Sequence, residues 1–193
     1  MVSDNWAECE KVVSGVQGAR YKSFETKKEA EEWLAAGASY GPPRVVRKKE
    51  AQKKLEPGIY FDAGTGRGEG VEISVTDEKG KNLLHKLLSR EELNKHGKHL
   101  LENSEATNNY GELLACRYAM QIAIEEGAKK VFGDSKLVID YWSKWVVKKK
   151  EVAPETVTLA MEVSKLREEF EKLGGEVIRV SGDLNPADLG FHR

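Results

Sequence analysis

TNNYGELLACRYAMQIAIEEGAKKVFGDS, the stretch from Thr107 to Ser135, organises the rest of the chain. Its first part places apolar residues at three- and four-residue steps, which predicts an amphipathic helix that ends at Gly127. The short run from Lys130 to Phe132 then has the character of a core strand in an α/β sheet. Asp134 falls at the carboxyl end of that strand, which is where open α/β sheets carry their chemistry.

Two carboxylates in this stretch are candidates for chemistry, Glu112 in the first turns of the helix and Asp134 at the strand end. Because a helix that precedes a parallel strand lies across the sheet, we expect these two side chains to converge. Thr107, Asn108 and Asn109 precede the helix and are N-cap candidates. One cap needs only one such residue, so the others are also candidates for contact with a phosphate or a ribose hydroxyl.

Length and composition narrow the function classes. The chain has 193 residues, enough for one full domain and a small module. Its net charge of -1 means that attraction to nucleic acid must come from local positive charge. Cys9 and Cys116 form no C-x-x-C pair, so neither a zinc site nor a disulfide framework is indicated. The sequence has no long apolar run, and we expect no signal peptide, no membrane span and a cytoplasmic location.

The N-terminal part predicts a small αβ module over residues 1–37. A helical pattern begins at Trp6, the run RYKSF from Arg20 to Phe24 has the character of a strand, and Thr26 caps a second helix from Lys27 to Ala36. Residues 38–57 combine Gly and Pro with many Arg and Lys residues, which predicts a basic linker. A solvated tether explains that composition, and a tether beside a nucleic-acid module would also attract phosphates.

Residues 58–193 begin with a strand pattern. The first predicted strand ends at Asp62, an acid in an otherwise apolar strand, which is costly to bury unless it is paired or bound to a ligand. Val71 to Val75 alternate with polar residues and predict a second strand, and residues 82–88 predict a third. We expect these three strands to form an antiparallel meander.

The remaining elements follow from similar patterns. Residues 89–106 predict a polar, helical insertion, in which we expect His96 and His99 to lie on the surface. After Asp134 we expect a helix from Lys136 to Val147, a long helix from Pro154 to Leu173, and a last strand over residues 176–180.

Residues 58–193 resemble the catalytic domain of a type I ribonuclease H. The motif T-N-N-x-x-E spans Thr107 to Glu112, G-D-S spans Gly133 to Ser135, and A-D is Ala187-Asp188. The resemblance implies an α/β fold with a mixed five-stranded sheet flanked by helices. It also implies four catalytic acids that bind metal, in the order Asp62, Glu112, Asp134 and Asp188.

Residues 6–36 resemble the hybrid-binding domain found at the front of many ribonucleases H. The resemblance rests on Trp6, Cys9, Val13, the run from Gly18 to Phe24, Thr26, Glu29 and Ala30. It implies contacts from Trp6, Tyr21 and Lys22 to RNA/DNA hybrid or double-stranded RNA. The alternative is that the aromatic residues are simply core. Only MVSDN precedes Trp6, so we expect the first strand of the family's module to be missing and the module to be weakened.

The resemblance implies a two-metal-ion hydrolysis of the RNA strand that leaves 5′-phosphate ends. Two Mg²⁺ ions about 4 Å apart can activate a water and neutralise charge on the phosphate, and Mn²⁺ is an alternative cation. Mg²⁺ prefers oxygen ligands, and clustered carboxylates repel one another until a cation is bound. By resemblance, Asp62 bridges both ions, Asn108 and Asn109 read 2′-hydroxyls, and Trp145 lies against the DNA strand. The alternative for Trp145 is a place in the helix core.

The sequence departs from the family at the loop before Asp188. The family's histidine is absent, and Asp183 stands about where it would be, as a replacement candidate. The basic hairpin of many bacterial members is reduced to Lys148 to Lys150. The main alternative is therefore a protein of the same fold that binds hybrid or double-stranded RNA without cutting. A junction resolvase or transposase core is a second alternative. We expect RNA/DNA hybrid as the partner and no membrane.

Overall fold

The computed structural model describes residues 2–13, 20–24, 26–35, 37–38, 55–65, 70–102 and 106–189. The chain divides into two compact units, Met1–Pro43 and Arg44–Arg193. The predicted linker over residues 38–57 lies largely outside the described residues, so its boundaries stay predictions. In the described part of the chain, no helix combines the length and apolar character that a bilayer crossing requires.

The first unit is built on two short helices, α1 (Trp6–Val13) and α2 (Lys27–Ala35). Thr26 begins α2 with reciprocal hydrogen bonds: its Oγ1 accepts from the Glu29 N–H at 3.3 Å, and its own N–H donates to Glu29 Oε2 at 3.2 Å. Residues 20–24 do not form the predicted strand. An extended segment becomes a strand only when a second strand accepts its hydrogen bonds, and the described residues of this unit include none.

The second unit is a five-stranded mixed sheet flanked by helices, in the order β3-β2-β1-β4-β5. Its strands are β1 (Ile59–Gly64), β2 (Val71–Asp77), β3 (His99–Leu101), β4 (Lys130–Gly133) and β5 (Glu176–Arg179). β1 pairs antiparallel with β2 and parallel with β4, and β4 pairs parallel with β5. This is the α/β, ribonuclease H-like architecture that the sequence predicts, and the predicted fold class is confirmed.

The long helix α3 (Asn108–Glu126) packs directly on the centre of this sheet. Gly111 makes the close approach possible, because a Cβ at this position would collide with Val71 of β2 and lie 3.1 Å from the Cβ of Ala63 in β1. Gly127 ends α3 in the left-handed region, with φ of 69°. The helix and its end match the sequence prediction.

The two faces of the sheet differ in character. Toward α3, the strands contribute apolar residues to the main core, among them Phe61 and Ile73. The opposite face carries Tyr60, Asp62 and, across the β1–β2 ladder, the polar residues Glu72, Ser74 and Thr76, all buried. Asp62 therefore belongs to a buried polar face at the centre of the sheet.

The third strand does not lie where the pattern predicts it. Residues 82–88 contain a 3₁₀ turn, Leu84–Lys86, and β3 forms instead inside the predicted helical insertion. β3 pairs with β2 through the register Ile73 to His99. His99 is half-buried, and its Nδ1 lies 3.1 Å from the Tyr118 hydroxyl, so the prediction of a surface histidine is wrong for His99; His96 is exposed.

The helix predicted from Lys136 to Val147 is broken. α4 covers only Lys136–Asp140, and a 3₁₀ turn, Trp142–Lys144, follows it. Arg167, buried on the long helix α5 (Pro154–Lys172), donates from Nη1 to the Ile139 carbonyl and to Ser143 Oγ, both at 2.6 Å. These bonds take up a carbonyl at the end of α4 that a continuing helix would use.

Candidate active site

Three of the four predicted acids come together at one point. Asp62, Glu112 and Asp134 each place a carboxylate oxygen within 4.8 Å of the other two. Asp62 is fully buried in the central strand β1, Glu112 is 4% exposed in the second turn of α3, and Asp134 is half-buried just after β4. The convergence predicted from the helix and strand pattern is therefore observed.

Local packing holds the three acids at this distance. Gly111 brings the start of α3 against β1 and β2, which places Glu112 over the end of β1. Gly133 leaves room for the ring of Phe61, with which a Cβ at this position would collide. β1 and β4 are parallel neighbours, so Asp62 and Asp134 point from the same edge of the sheet.

Burial and like charges act on the same carboxyl group. Burial is the largest cause that raises the pKa of Glu112 to about 9, and the charges of Asp62 and Asp134 raise it further. A backbone hydrogen bond from Ala63 opposes this rise, and a hydrogen bond with Asp62 adds to it. Glu112 Oε2 is buried and has no hydrogen-bond partner among the described residues. The site thus holds a buried acceptor oxygen on a carboxyl group that lies close to two other acids.

The C-terminal segment is fastened to β1 beside this cluster. Asn185, fully buried, donates from Nδ2 to the Phe61 carbonyl at 2.8 Å, and the Leu189 N–H donates to Asp62 Oδ2 at 2.8 Å. Asp188 lies between these two anchors and is half-buried. Its carboxylate is not part of the three-acid group, and its predicted role as a metal ligand stays a prediction.

The three polar residues at the start of α3 take different positions: Thr107 precedes the helix, and Asn108 and Asn109 are its first two residues. Thr107 is the N-cap of α3, and its Oγ1 accepts from the Tyr110 N–H at 3.2 Å, which confirms the capping interpretation for this residue. Asn108 is half-buried, and its Oδ1 is buried without a hydrogen-bond partner among the residues that the structure describes. Asn109 is exposed. The contact with a ribose that the sequence predicts for Asn108 and Asn109 therefore stays a prediction for both residues.

Trp145 lies outside any helix, so the alternative of a place in the helix core is wrong. It follows the 3₁₀ turn with a left-handed φ of 61°, and its side chain is 36% exposed, whereas Trp142 is buried. The Lys149 Nζ lies 4.7 Å from the centre of the Trp145 ring. The pair presents an aromatic face and a cation at the surface. Lys148 is also exposed, and it forms an ion pair with Glu151 at 3.1 Å.

An open cavity of about 500 Å³ adjoins Asp134. Besides Asp134, the residues that line it are Arg179, Val180, Ser181 and Gly182. Asp183 is exposed in the 3₁₀ turn Gly182–Leu184, next in sequence to the cavity lining. The residue predicted to replace the family's histidine is thus adjacent to this cavity, and its role stays a prediction.

In the first unit, the predicted contact residues are exposed. Trp6 and Tyr21 are 57% and 49% exposed, and their ring centres are 5.6 Å apart. Lys22 is also exposed, with Nζ 5.2 Å from the centre of the Phe24 ring. The alternative that Trp6 and Tyr21 form the core of this unit is therefore wrong.

Three residues that position the site or the elements around it do not stand out in the sequence: Gly111, Arg167 and Asn185. Each acts through a contact with a distant part of the chain. The pattern T-N-N-x-x-E leaves Gly111 unspecified, and Arg167 lies among other charged residues of α5. Asn185 precedes Pro186, a dipeptide typical of turns, and no local signal distinguishes a turn residue from a buried anchor.

The comparison with protein families concerns the first unit. Residues 2–34 match the family model described as the Ribonuclease H1 N-terminal domain. This finding agrees with the resemblance seen in residues 6–36 and supports binding of RNA/DNA hybrids by this unit. The match covers the N-terminal part of the chain, so cleavage by the second unit is a matter of proposal.

Proposed function

We propose that the protein is an endoribonuclease that binds RNA/DNA hybrids and hydrolyses their RNA strand with divalent metal ions. The observation that carries this proposal is the meeting of Asp62, Glu112 and Asp134 at the carboxyl edge of a mixed sheet. The family match of residues 2–34 supplies independent support for the substrate class. The two observations come from different units and point to the same chemistry.

The donor set suits a hard divalent cation. All three side chains offer carboxylate oxygens, which Mg²⁺ and Mn²⁺ prefer. The buried Glu112 Oε2 has no hydrogen-bond partner among the described residues, and a buried acceptor of this kind is costly unless a ligand takes it up. Burial is the largest cause of the raised pKa of Glu112, and a bound cation would offset the charges of Asp62 and Asp134 that raise it further.

The residues that would hold the cations are Asp62, Glu112 and Asp134, with Asp188 as the fourth acid supplied by the C-terminal segment. When bound, divalent cations at this point neutralise the phosphate and favour ionisation of the attacking water. The water oxygen attacks phosphorus and the bond to the 3′ oxygen breaks, which gives a 3′-hydroxyl and a 5′-phosphate. Asp62 is held for this role by the Leu189 N–H, and Glu112 by the packing of α3.

Selection of the hybrid is divided between the units in this proposal. The first unit supplies exposed aromatic side chains, Trp6 and Tyr21, and the exposed cation Lys22. In the second unit, the Asn108 amide oxygen is a buried acceptor without a hydrogen-bond partner among the described residues, one helical turn before Glu112, and it suits a 2′-hydroxyl donor. Trp145 and Lys149 offer a surface that a sugar-phosphate backbone can follow.

The test is a side-by-side digestion by the full chain. RNA/DNA hybrid, duplex RNA and duplex DNA, each with both strands labelled, are incubated with Mg²⁺, with Mn²⁺ and with a chelator. We expect cuts only in the RNA strand of the hybrid, only with divalent metal, and products with 5′-phosphate ends. Cutting of duplex DNA would instead identify a different nuclease of this fold.

A second candidate is a hybrid-binding protein that does not cut. The family match favours this candidate, because the matched residues belong to a binding module and the match concerns binding alone. The same digestion separates the two. Intact RNA strands in every metal, together with a measurable affinity for hybrid, would support the binding protein and exclude the nuclease.

A further inference from the structure

The cavity beside Asp134 is lined by a positively charged residue, Arg179. The three-acid site does not explain the role of this side chain. Arg179 is the last residue of β5, and its register partner in the parallel ladder is Gly133, the residue before Asp134. The Val180 N–H donates to the Gly133 carbonyl at 2.8 Å and holds the two strand ends together. Arg179 is exposed and lines the same cavity as Asp134. The sheet register therefore places Arg179 beside the strand end that carries Asp134.

Arg179 is not committed to a structural ion pair. Within the part of the chain that the structure describes, no salt bridge or side-chain hydrogen bond involves its guanidinium, whereas the half-buried Arg117 and the buried Arg167 each have a carboxylate partner. The charge of Arg179 nevertheless acts on a nearby carboxylate, Asp140. The hydrogen bond from Lys136 is the largest cause that lowers the pKa of Asp140, and the charges of Lys136, Arg179 and Lys144 lower it further.

Lys136 follows Asp134 by two positions and forms an ion pair with Asp140 at 2.6 Å. The charges of Lys144 and Arg179 also act on Asp140, so Arg179 belongs to a group of three cations, although the chain carries a net charge of -1. Local positive charge of this kind is what a nucleic-acid backbone requires. The neighbouring Ser181 makes no capping hydrogen bond with its side chain, so its hydroxyl is a further donor in the cavity lining.

An anion in the cavity must tolerate Asp134, which shares its lining. A phosphate can bind in the cavity if divalent cations at the three acids bind the neighbouring phosphate of the same strand. These cations offset the charge of Asp134. The planar guanidinium fork matches two phosphate oxygens, which an ammonium group cannot do. One continuous strand therefore explains the acidic cluster and the cationic cavity together.

We propose that Arg179 and the cavity it lines with Ser181 bind a backbone phosphate of the cut RNA strand next to the scissile one. The proposal rests on the proposed function for the identity of the strand. Arg179 holds this phosphate before and during the reaction, so its loss raises KM and leaves kcat nearly unchanged. A purely structural role, in which Arg179 supports Asp134, would lower kcat instead.

The test is a double-mutant cycle in which one change is Arg179→Ala and the other is a single neutral methylphosphonate in the RNA strand. The methylphosphonate is placed in turn at each phosphate around the cut. We expect Arg179→Ala to lower kcat/KM about tenfold through KM on unmodified hybrid, as for one charge-assisted contact. When the methylphosphonate replaces the phosphate that Arg179 contacts, kcat/KM of the wild type should fall by the same factor. That of Arg179→Ala should not fall any further. Arg179→Lys should recover part of the loss.

Lys165→Ala is the matched control, because Lys165 is an exposed cation on α5. It should leave both constants unchanged, and melting temperatures should show that Arg179→Ala is folded. Equal kcat/KM for Arg179→Ala and wild type, or losses that multiply at every phosphate, would overturn the proposal. If the wild type cuts nothing, the proposed function fails by itself, and the same cycle on dissociation constants still decides whether Arg179 binds a phosphate.

Discussion

The two units of the chain use their side chains in opposite ways. In the first unit, neither α1 nor α2 contains a buried residue, and the aromatic pair Trp6 and Tyr21 is at the surface. In the second, acids are buried: Asp62 is fully covered and Glu112 is 4% exposed. Exposed aromatic groups bind through contact area and need little support, whereas buried acids need a packed core to hold them together. The difference suggests binding by one unit and chemistry by the other.

The sharpest way to break this comparison is Asp62→Asn. Asparagine keeps an oxygen that can accept from the Leu189 N–H but loses the charge that a cation requires. We expect no RNA cleavage above background, with hybrid affinity unchanged. Gel analysis of digests and a filter-binding titration of the same hybrid measure the two properties separately.

Asp77→Asn is the matched control for this variant. Asp77 faces Ile59 at the opposite end of the β1–β2 ladder, and its Oδ1 accepts from the Lys79 and Lys81 N–H groups, which asparagine can also do. It should cut as the wild type does. Substantial turnover by Asp62→Asn would remove the chemistry from the three-acid site.

The dependence of the second unit on its interior can be measured with Arg167→Met. The buried guanidinium loses its bonds to the Ile139 carbonyl and Ser143 Oγ, and a buried carbonyl is left with fewer donors. We expect the free energy of unfolding to fall by about 2–4 kcal/mol in urea titrations. Lys165→Met, at an exposed position of the same helix, should change it by less than about 0.5 kcal/mol. Equal effects would mean that the bonds of Arg167 contribute little.

The binding side of the comparison is tested with the double variant Trp6→Ala and Tyr21→Ala. Aromatic stacking on nucleic acid contributes about 1–3 kcal/mol per base, so hybrid affinity should fall by about tenfold or more, with kcat unchanged. Val12→Ala removes an exposed apolar side chain of α1, 56% exposed, and should leave affinity unchanged. A fall in kcat rather than in affinity would contradict the division of roles.

The smallest expected effect is a pH dependence of stability without metal. The pKa of Glu112 is raised in the folded protein from 4.5 to about 9, chiefly by burial. The folded state therefore binds this proton more tightly than the unfolded state, and Glu112 makes stability fall as pH rises from about 4.5 to about 9. Glu112→Gln removes this contribution, so at pH 8 in chelator its melting temperature should exceed that of the wild type by about 3 °C.

Glu168→Gln controls for the loss of one carboxylate, because Glu168 is exposed on α5. Its melting temperature should follow that of the wild type across the pH range. Mg²⁺ should narrow the difference between wild type and Glu112→Gln by stabilising the wild type alone. A difference that does not change between pH 5 and pH 8 would show that Glu112 does not titrate as its burial implies.

Local patterns were sufficient where an element is defined by its own residues. The helix Asn108–Glu126, its end at Gly127 and the strand Lys130–Gly133 followed from apolar spacing and from glycine. Local patterns failed where a distant part of the chain determines whether an element forms or where it ends. β3 forms because β2 offers it hydrogen bonds, and α4 stops after Asp140 because Arg167 and Ser143 take its last carbonyls.

For the candidate site, the sequence by itself determined which acids are available and their order along the chain, since Asp62, Glu112 and Asp134 stand out by residue type and by their places in local elements. The tertiary structure decided that their oxygens lie within 4.8 Å, that burial raises the pKa of Glu112, and that Asn185 and Leu189 fasten the C-terminal segment to β1. The physical reason is that distance, burial and charge repulsion arise only when segments far apart in the chain are packed together, and no local pattern contains that packing.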